Sequence, residues 1–380
     1  MVNRKKIVFP FYNTYFTATS IIIYQANILR TLQYLPDGQK PEIIVWYKPG
    51  SPLQELKDVG YPYISYYNVK TIGFRIKKLL SLFAVKLGMK KLFNFNAAYD
   101  IIYPADQDPF ADTIRKKIYW KADFQENYYP ENFLKEELEW VAAFFNHLQS
   151  HPQYPLVLSS KACEKDLRSF YPKLRNEVLL YRFVSHVPEL DEFRVPELIK
   201  QFELQKPYFI VCNQFWPHKN HIAVIKALKA IKSGGTLPFQ MVFTGKTTSR
   251  RGTDYFSELK NAISDADLTE DIIITDFIER TDQLLLMKNS IAVVQPTLFE
   301  GWSTVIEDAR AIGKYVIASS LEVNQEQISD NAIFFEPHDA QRLAELLLSH
   351  FQNPPAWIPY DYKTFIASAT QDLVRIFELS

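Results

Sequence analysis

The chain alternates, almost from end to end, between short runs of β-branched and aromatic residues and longer stretches with helical periodicity. In the first half the short runs are KKIVFPF, PEIIVWY, YDIIYP, KKIYW and PLVLSS, with helical stretches such as Ser20 to Leu35 and Glu131 to Gln149 between them. In the second half they are YFIVCN, FQMVFTG, IIITDF, IAVVQP, KYVIAS and AIFFE, with helices expected near 220–232, 254–265, 304–312 and 339–351. Strands that alternate with helices pair in parallel and are covered on both faces. The expected class is α/β. Ligands of such sheets bind beyond the carboxyl ends of the strands, so a cleft between two such domains is the expected site.

With 380 residues there is room for two domains of ordinary size. The Pro- and charge-rich segment HVPELDEFRVPEL marks the break, giving an N-terminal domain over 1–190 and a C-terminal domain over 191–358. After the breaker run NPPAWIP, residues 359–380 read as a last helix that packs back towards the first domain. A formal net charge of zero argues against a nucleic-acid binder. Cys163 and Cys212 sit in apolar runs and match no metal spacing, which suits reduced core thiols in a cytoplasmic protein. The start, MVNRKKIVFPFY, reads as a first strand rather than a signal peptide, and no apolar stretch is long enough for a transmembrane helix.

Three pieces of the second half carry the chemistry. In YFIVCNQFWPHKNHIAVIKAL a strand ends at Cys212, and Lys219 lies where the loop hands over to a helix near Asn220. An anion there meets both an ammonium and unpaired backbone N–H groups. In IAVVQPTLFEGWSTVIEDARAIGKYVIAS a buried strand runs into Glu300, and Gly301 permits close approach of backbone to ligand. A helix opens at Thr304, and Thr304–Val305–Ile306–Glu307 has capping-box spacing. That spacing gives Glu307 a structural task and leaves Asp308 as the freer carboxylate. Glu300 has no such explanation and is suited to accept from sugar hydroxyls. In FQMVFTGKTTSRR a strand ends at Thr244–Gly245–Lys246, and nearby the backbone of the run through Phe277 and Ile278 to Arg280 is a candidate for reading a nucleobase.

These residues, NQFWPHKNH before a helix and FEGWSTVIEDARAIGKYVIAS, resemble the donor domain of retaining glycosyltransferases of the GT-B fold, family 4 (glycosyl transferases group 1) type. The resemblance spans the second half, and extends more weakly to KADFQENYYPENF and LVLSSKACEKDLRSFYP in the first. It implies two Rossmann-like domains with parallel sheets facing a central cleft. It also implies a nucleoside-diphosphate-sugar donor, a saccharide or lipid-linked acceptor in polysaccharide or glycolipid synthesis, and neither cofactor nor metal. Lys219 would then neutralise the donor diphosphate, Glu300 would bind sugar hydroxyls, and the backbone of Gly301, Trp302 and Ser303 would approach the sugar or phosphate. The second acid of the pattern falls on Asp308, beside Glu307, for the ribose. Four places depart from the pattern: Asp308 replaces the longer glutamate, Gln214 replaces an arginine, Glu126 stands where D-F-Q-H has its histidine near the reacting centre, and Pro10 to Tyr15 replaces a Gly-rich loop.

Other signals point elsewhere. Asp106–Gln107–Asp108 has the D-x-D form of metal-dependent transferases, but short acidic triplets are common, and a polar loop is the expected reading. His218 and His221 flank Lys219, with ligand contact and plain surface both open. The stretch from Lys70 to Phe95 carries Lys70, Arg75, Lys77, Lys78, Lys86, Lys90 and Lys91 interleaved with leucines and phenylalanines, and no acid. It reads as a helix with a solvated basic face or as a contact with an anionic membrane. Two rival functions stay open: a sugar phosphorylase or epimerase of similar fold, and an inactive binding partner in a polysaccharide assembly complex.

Overall fold

The computed structural model describes residues 4–11, 19–86, 96, 98–106, 114–247 and 255–379. Tyr12 to Tyr15 of the first loop, Gln107 and Asp108 of the acidic triplet, residues 87–95 of the basic stretch and 248–251 of the third piece lie outside the described residues. The chain forms two compact units, one of residues 1–184 with 363–380, the other of residues 185–362.

In the first unit the strands are β1 (Lys6–Phe11), β2 (Glu42–Tyr47), β3 (Ile64–Asn68), β4 (Ile101–Ile102), β5 (Lys116–Lys117), β6 (Tyr119–Lys121), β7 (Leu156–Leu158) and β8 (Val178–Leu180). They pair in parallel in the orders β3-β2-β1-β4-β5 and β6-β7-β8. The run KKIYW supplies both β5 and β6; it breaks at Ile118, whose N–H still donates to Ile102. The closing helix Lys363–Phe377 belongs to this unit. It buries Ile366, Leu373, Ile376 and Phe377, and the Phe377 ring meets Tyr103 edge-on at 5.3 Å.

The second unit holds β9 (Tyr208–Val211), β10 (Gln240–Thr244), β11 (Ile272–Asp276), β12 (Val293–Gln295), β13 (Val316–Ser319) and β14 (Ala332–Phe335). All pairs are parallel, in the order β11-β10-β9-β12-β13-β14. Successive side chains of a strand point to opposite faces, and both faces are buried. Phe209, Val211, Met241 and Phe243 pack under the helices His221–Lys232, Tyr255–Asp265 and Ala340–Gln352. Tyr208, Ile210, Val242 and Val293 pack under Val195–Gln201, Arg280–Asn289 and Thr304–Ala311.

All eleven expected runs contain strands. β3 and β8 were not anticipated: β3 is a half-exposed edge strand and β8 is three residues long, so neither writes a clear pattern. Part of HVPELDEFRVPEL, read as a linker, is helical, with Pro196 in the first turn, where a missing N–H costs nothing. No helix among the described residues is long and apolar enough to cross a membrane.

Candidate functional site

Counted within the second unit, the strand order is 3-2-1-4-5-6, that of dinucleotide-binding sheets. The order reverses between β9 and β12, where successive connections leave on opposite sides and open a crevice at the strand ends. Asn213 follows β9, and Gln295 ends β12. The Asn213 side-chain amide donates to Gln295 Oε1 at 2.9 Å, tying the two strands together at that point. Gln295 in turn donates to Glu300 Oε1 at 2.9 Å and to Ser303 Oγ at 3.0 Å.

Lys219 closes a short turn, Pro217–Lys219, ahead of the helix His221–Lys232. Asn220 sits at φ 56°, a left-handed conformation that asparagine tolerates, and its amide donates to Pro296 O and Pro337 O at 2.9 and 2.8 Å. The Leu298 N–H donates to His218 O at 2.7 Å. The two loops are thus stapled together, and Lys219 Nζ reaches Glu300 Oε1 at 2.6 Å. Glu300 was expected to have no partner; it is paired. Both its hydrogen bonds fall on Oε1, so Oε2 faces no donor among the described residues.

The capping expected of Glu307 is a second correction. Ser303, not Thr304, caps the helix Thr304–Ala311, its hydroxyl accepting from the Ile306 N–H. Glu307 is buried and points elsewhere: Arg310 and Gln327 donate to Oε1, and Tyr362 donates to Oε2 at 2.6 Å. Burial pushes its carboxyl above the ordinary value, against the pull of Arg310. Asp308 is not without partners either. Arg280 grips it with two nitrogens at 2.7 and 2.9 Å, and Ser185 Oγ donates to it at 2.5 Å. Glu307 and Asp308 differ in their cover, since the Arg310 side chain is 8% exposed and that of Arg280 47%.

Among the remaining candidates, Gly301 and Trp302 are buried beside Glu300, and Thr304 is exposed. Gln214 is exposed and accepts from the Trp216 indole at 2.8 Å. Gly245 has a structural reason: a Cβ there would lie 2.2 Å from Asn213 O. Phe277 projects from the end of β11, 70% exposed, and Ile278 packs half-buried below it. His218 and His221 are both buried, which removes the plain-surface reading. His221 lies between the rings of Phe215 and Phe243, and burial pushes its pKa down to about 3, so it stays neutral.

Glu126 lies in the first unit, in the short helix Gln125–Tyr128. It is buried, and Lys121 Nζ lies 3.0 Å from its Oε1. It also lines a cavity of about 250 Å³ with Asn127, Val141, Asn146 and Tyr171. Asp106 is buried, and its backbone carbonyl accepts from Tyr119 Oη.

Gln295, Gln327, Ser185 and Tyr362 escaped the sequence reading. Gln295 alone leaves a trace, as an amide ending the apolar run IAVV; the others reach the site only through the tertiary fold.

Residues 196–366 match the family model described as glycosyl transferases group 1. That stretch contains Lys219, Glu300, Glu307 and Asp308. Over 236 residues it is 23% identical to the O-antigen chain mannosyltransferase RfbU of Salmonella typhimurium, covering 62% of this chain and 60% of that relative's length. Among solved structures, a glycosyltransferase from Rickettsia africae superposes with a TM-score of 0.65 at 14% identity, over 99% of this chain and 94% of that one. Anabaena Alr3699/HepE, crystallised with UDP and glucose, does so with 0.65 at 16% identity, over 99% and 95%. These neighbours give the fold as GT-B, and the polar cluster around Glu300 lies within the matched residues 196–366.

Proposed function

We propose that the protein is a metal-independent, retaining hexosyltransferase. It moves a sugar from a nucleoside-diphosphate-sugar to a saccharide or lipid-linked saccharide acceptor, in the synthesis of a cell-surface polysaccharide or glycolipid. The carrying observation is the Lys219–Glu300 pair at the reversal of strand order. An ammonium suited to a phosphate and a carboxylate suited to sugar hydroxyls lie in hydrogen-bond contact. A donor carries its phosphate and sugar just as close together, so its entry replaces one internal ion pair by two ligand contacts. Lys219 then faces the charge that grows on the diphosphate as the glycosidic bond breaks, where a fixed cation lowers the barrier. The departing phosphate helps to deprotonate the acceptor hydroxyl, so the protein has more to position than to protonate.

Gly301, Trp302, Ser303 and Thr304 border the sugar or phosphate in this reading, with Gln214 and Gly245 at the crevice wall and Phe277 and Ile278 towards the base. Asp308 rather than Glu307 takes the ribose, because the arginine on Asp308 is half-exposed and yields more readily than the buried Arg310 on Glu307, with Ser185 the other partner to be exchanged. The UDP bound by the Anabaena protein and the name of the Salmonella relative support a nucleotide-sugar donor and a polysaccharide setting. The same reading places the protein at the cytoplasmic face of a membrane.

A thermal-shift screen with GDP-, UDP- and ADP-linked sugars identifies the donor, since a ligand that binds only the native state raises its melting point. Donor turnover is then measured in Lys219→Ala and Glu300→Ala. Each is expected to lose about 10²-fold or more while still melting cooperatively. Full turnover in either variant would sink the assignment.

A further inference from the structure

The basic stretch folds, over its described part, into the helix Ile72–Lys86. A surface helix ordinarily turns its apolar stripe inward. This one does the reverse. At 100° per residue, Ile72, Ile76, Leu79, Leu80 and Phe83 fall within an arc of about 100°, and all five are between 41% and 77% exposed. The fold is met from the other side by Phe74, which packs edge-on against Trp46 at 5.4 Å. Arg75 and Lys77, both exposed, flank the apolar arc on its two sides.

Charge decides what would cover such a face. Between Asp58 and Asp100 the sequence holds no acid, and from Lys70 to Lys91 it holds seven cations. An apolar stripe bordered by cations complements a surface that is apolar within and anionic at its rim. A second copy of this face would bring cations against cations.

We infer that the helix Ile72–Lys86 docks the protein on an anionic lipid bilayer, lying in the interface plane. Ile72, Ile76, Leu79, Leu80 and Phe83 enter the boundary between headgroups and acyl chains, and Lys70, Arg75 and Lys77 meet the lipid phosphates. Neither part suffices alone, since stable yet reversible anchoring takes two signals. Docking of this kind deepens the membrane placement proposed above and rests on it.

The test is flotation of the full chain with phosphatidylcholine vesicles, and with the same vesicles containing phosphatidylglycerol, at low and high salt. The protein is expected to float with the anionic vesicles only, and less at high salt. Replacing Leu79→Ser together with Phe83→Ser removes two exposed side chains that the fold does not use, and is expected to lower the bound fraction about tenfold. The inference fails if the parent protein stays unbound to anionic vesicles at low salt, or if the serine pair floats undiminished. It fails equally if the parent sediments as a dimer that the serine pair splits, with no flotation of either. The nucleotide-sugar thermal shift of the serine pair is recorded in parallel. An unchanged shift certifies the fold, and loss of the donor assignment would leave flotation untouched.

Discussion

At the scale of single residues, Glu307 and Asp308 are adjacent carboxylates with opposite obligations. Glu307 is held by Arg310, Gln327 and Tyr362 in a dry setting, and removing its charge strands a buried guanidinium. Glu307→Gln is therefore expected to lose about 3–5 kcal/mol of stability. Asp308→Asn leaves Arg280 half in water, so its loss of stability is expected to be smaller than that of Glu307→Gln. Its effect is expected on the KM for the donor instead. Melting curves and donor kinetics of the two variants separate the roles; a stable Glu307→Gln with a raised KM would reverse the assignment. Spacing from Glu300 favours Asp308 as the donor-side acid, and the separate capping argument about Glu307 does not hold. The capping box that excused Glu307 does not form, because Ser303 already satisfies the helix start. Nor does spacing reveal that Lys219 and Glu300, 81 positions apart, are each other's partners.

At the scale of elements, the crevice depends on how β9, β10 and β12 finish. Gly245, just past β10, lets the chain pass against Asn213 O, and Asn213 is the residue that holds Gln295 and through it Glu300. Gly245→Ala must push the end of β9 aside. A loss of about 1–3 kcal/mol is expected from the overpacking, together with weakened donor binding, measured by denaturant unfolding and by the nucleotide-sugar thermal shift. A variant as stable as the parent that binds donor normally would show that this close passage is unimportant. The strands themselves are legible because buried parallel strands read as continuous apolar runs. β3 and β8 are not, being at an edge or very short. The polar network is illegible for another reason. Its members lie at the ends of different elements, and only the strand order brings those ends together.

On the scale of the whole molecule, the last helix is part of the first unit's core rather than an appendage. Ile366, Leu373, Ile376 and Phe377 are buried, and Glu378 bridges Lys5 and Lys116. Four large apolar side chains contribute on the order of 5–10 kcal/mol, comparable with the whole stability of an ordinary domain. Deleting residues 363–380 is therefore expected to abolish the cooperative melting of the first unit, as read by calorimetry and limited proteolysis. The second unit should still melt and still respond to nucleotide sugar. The chain enters that second unit at Ser185 and leaves it at Tyr362. The Ser185 N–H donates to Tyr362 Oη, and the same two side chains hold Asp308 and Glu307. In mechanical terms, tension applied to the chain on either side of this unit is borne first by that clasp. It reaches the two carboxylates before it can load the ladder of the sheet.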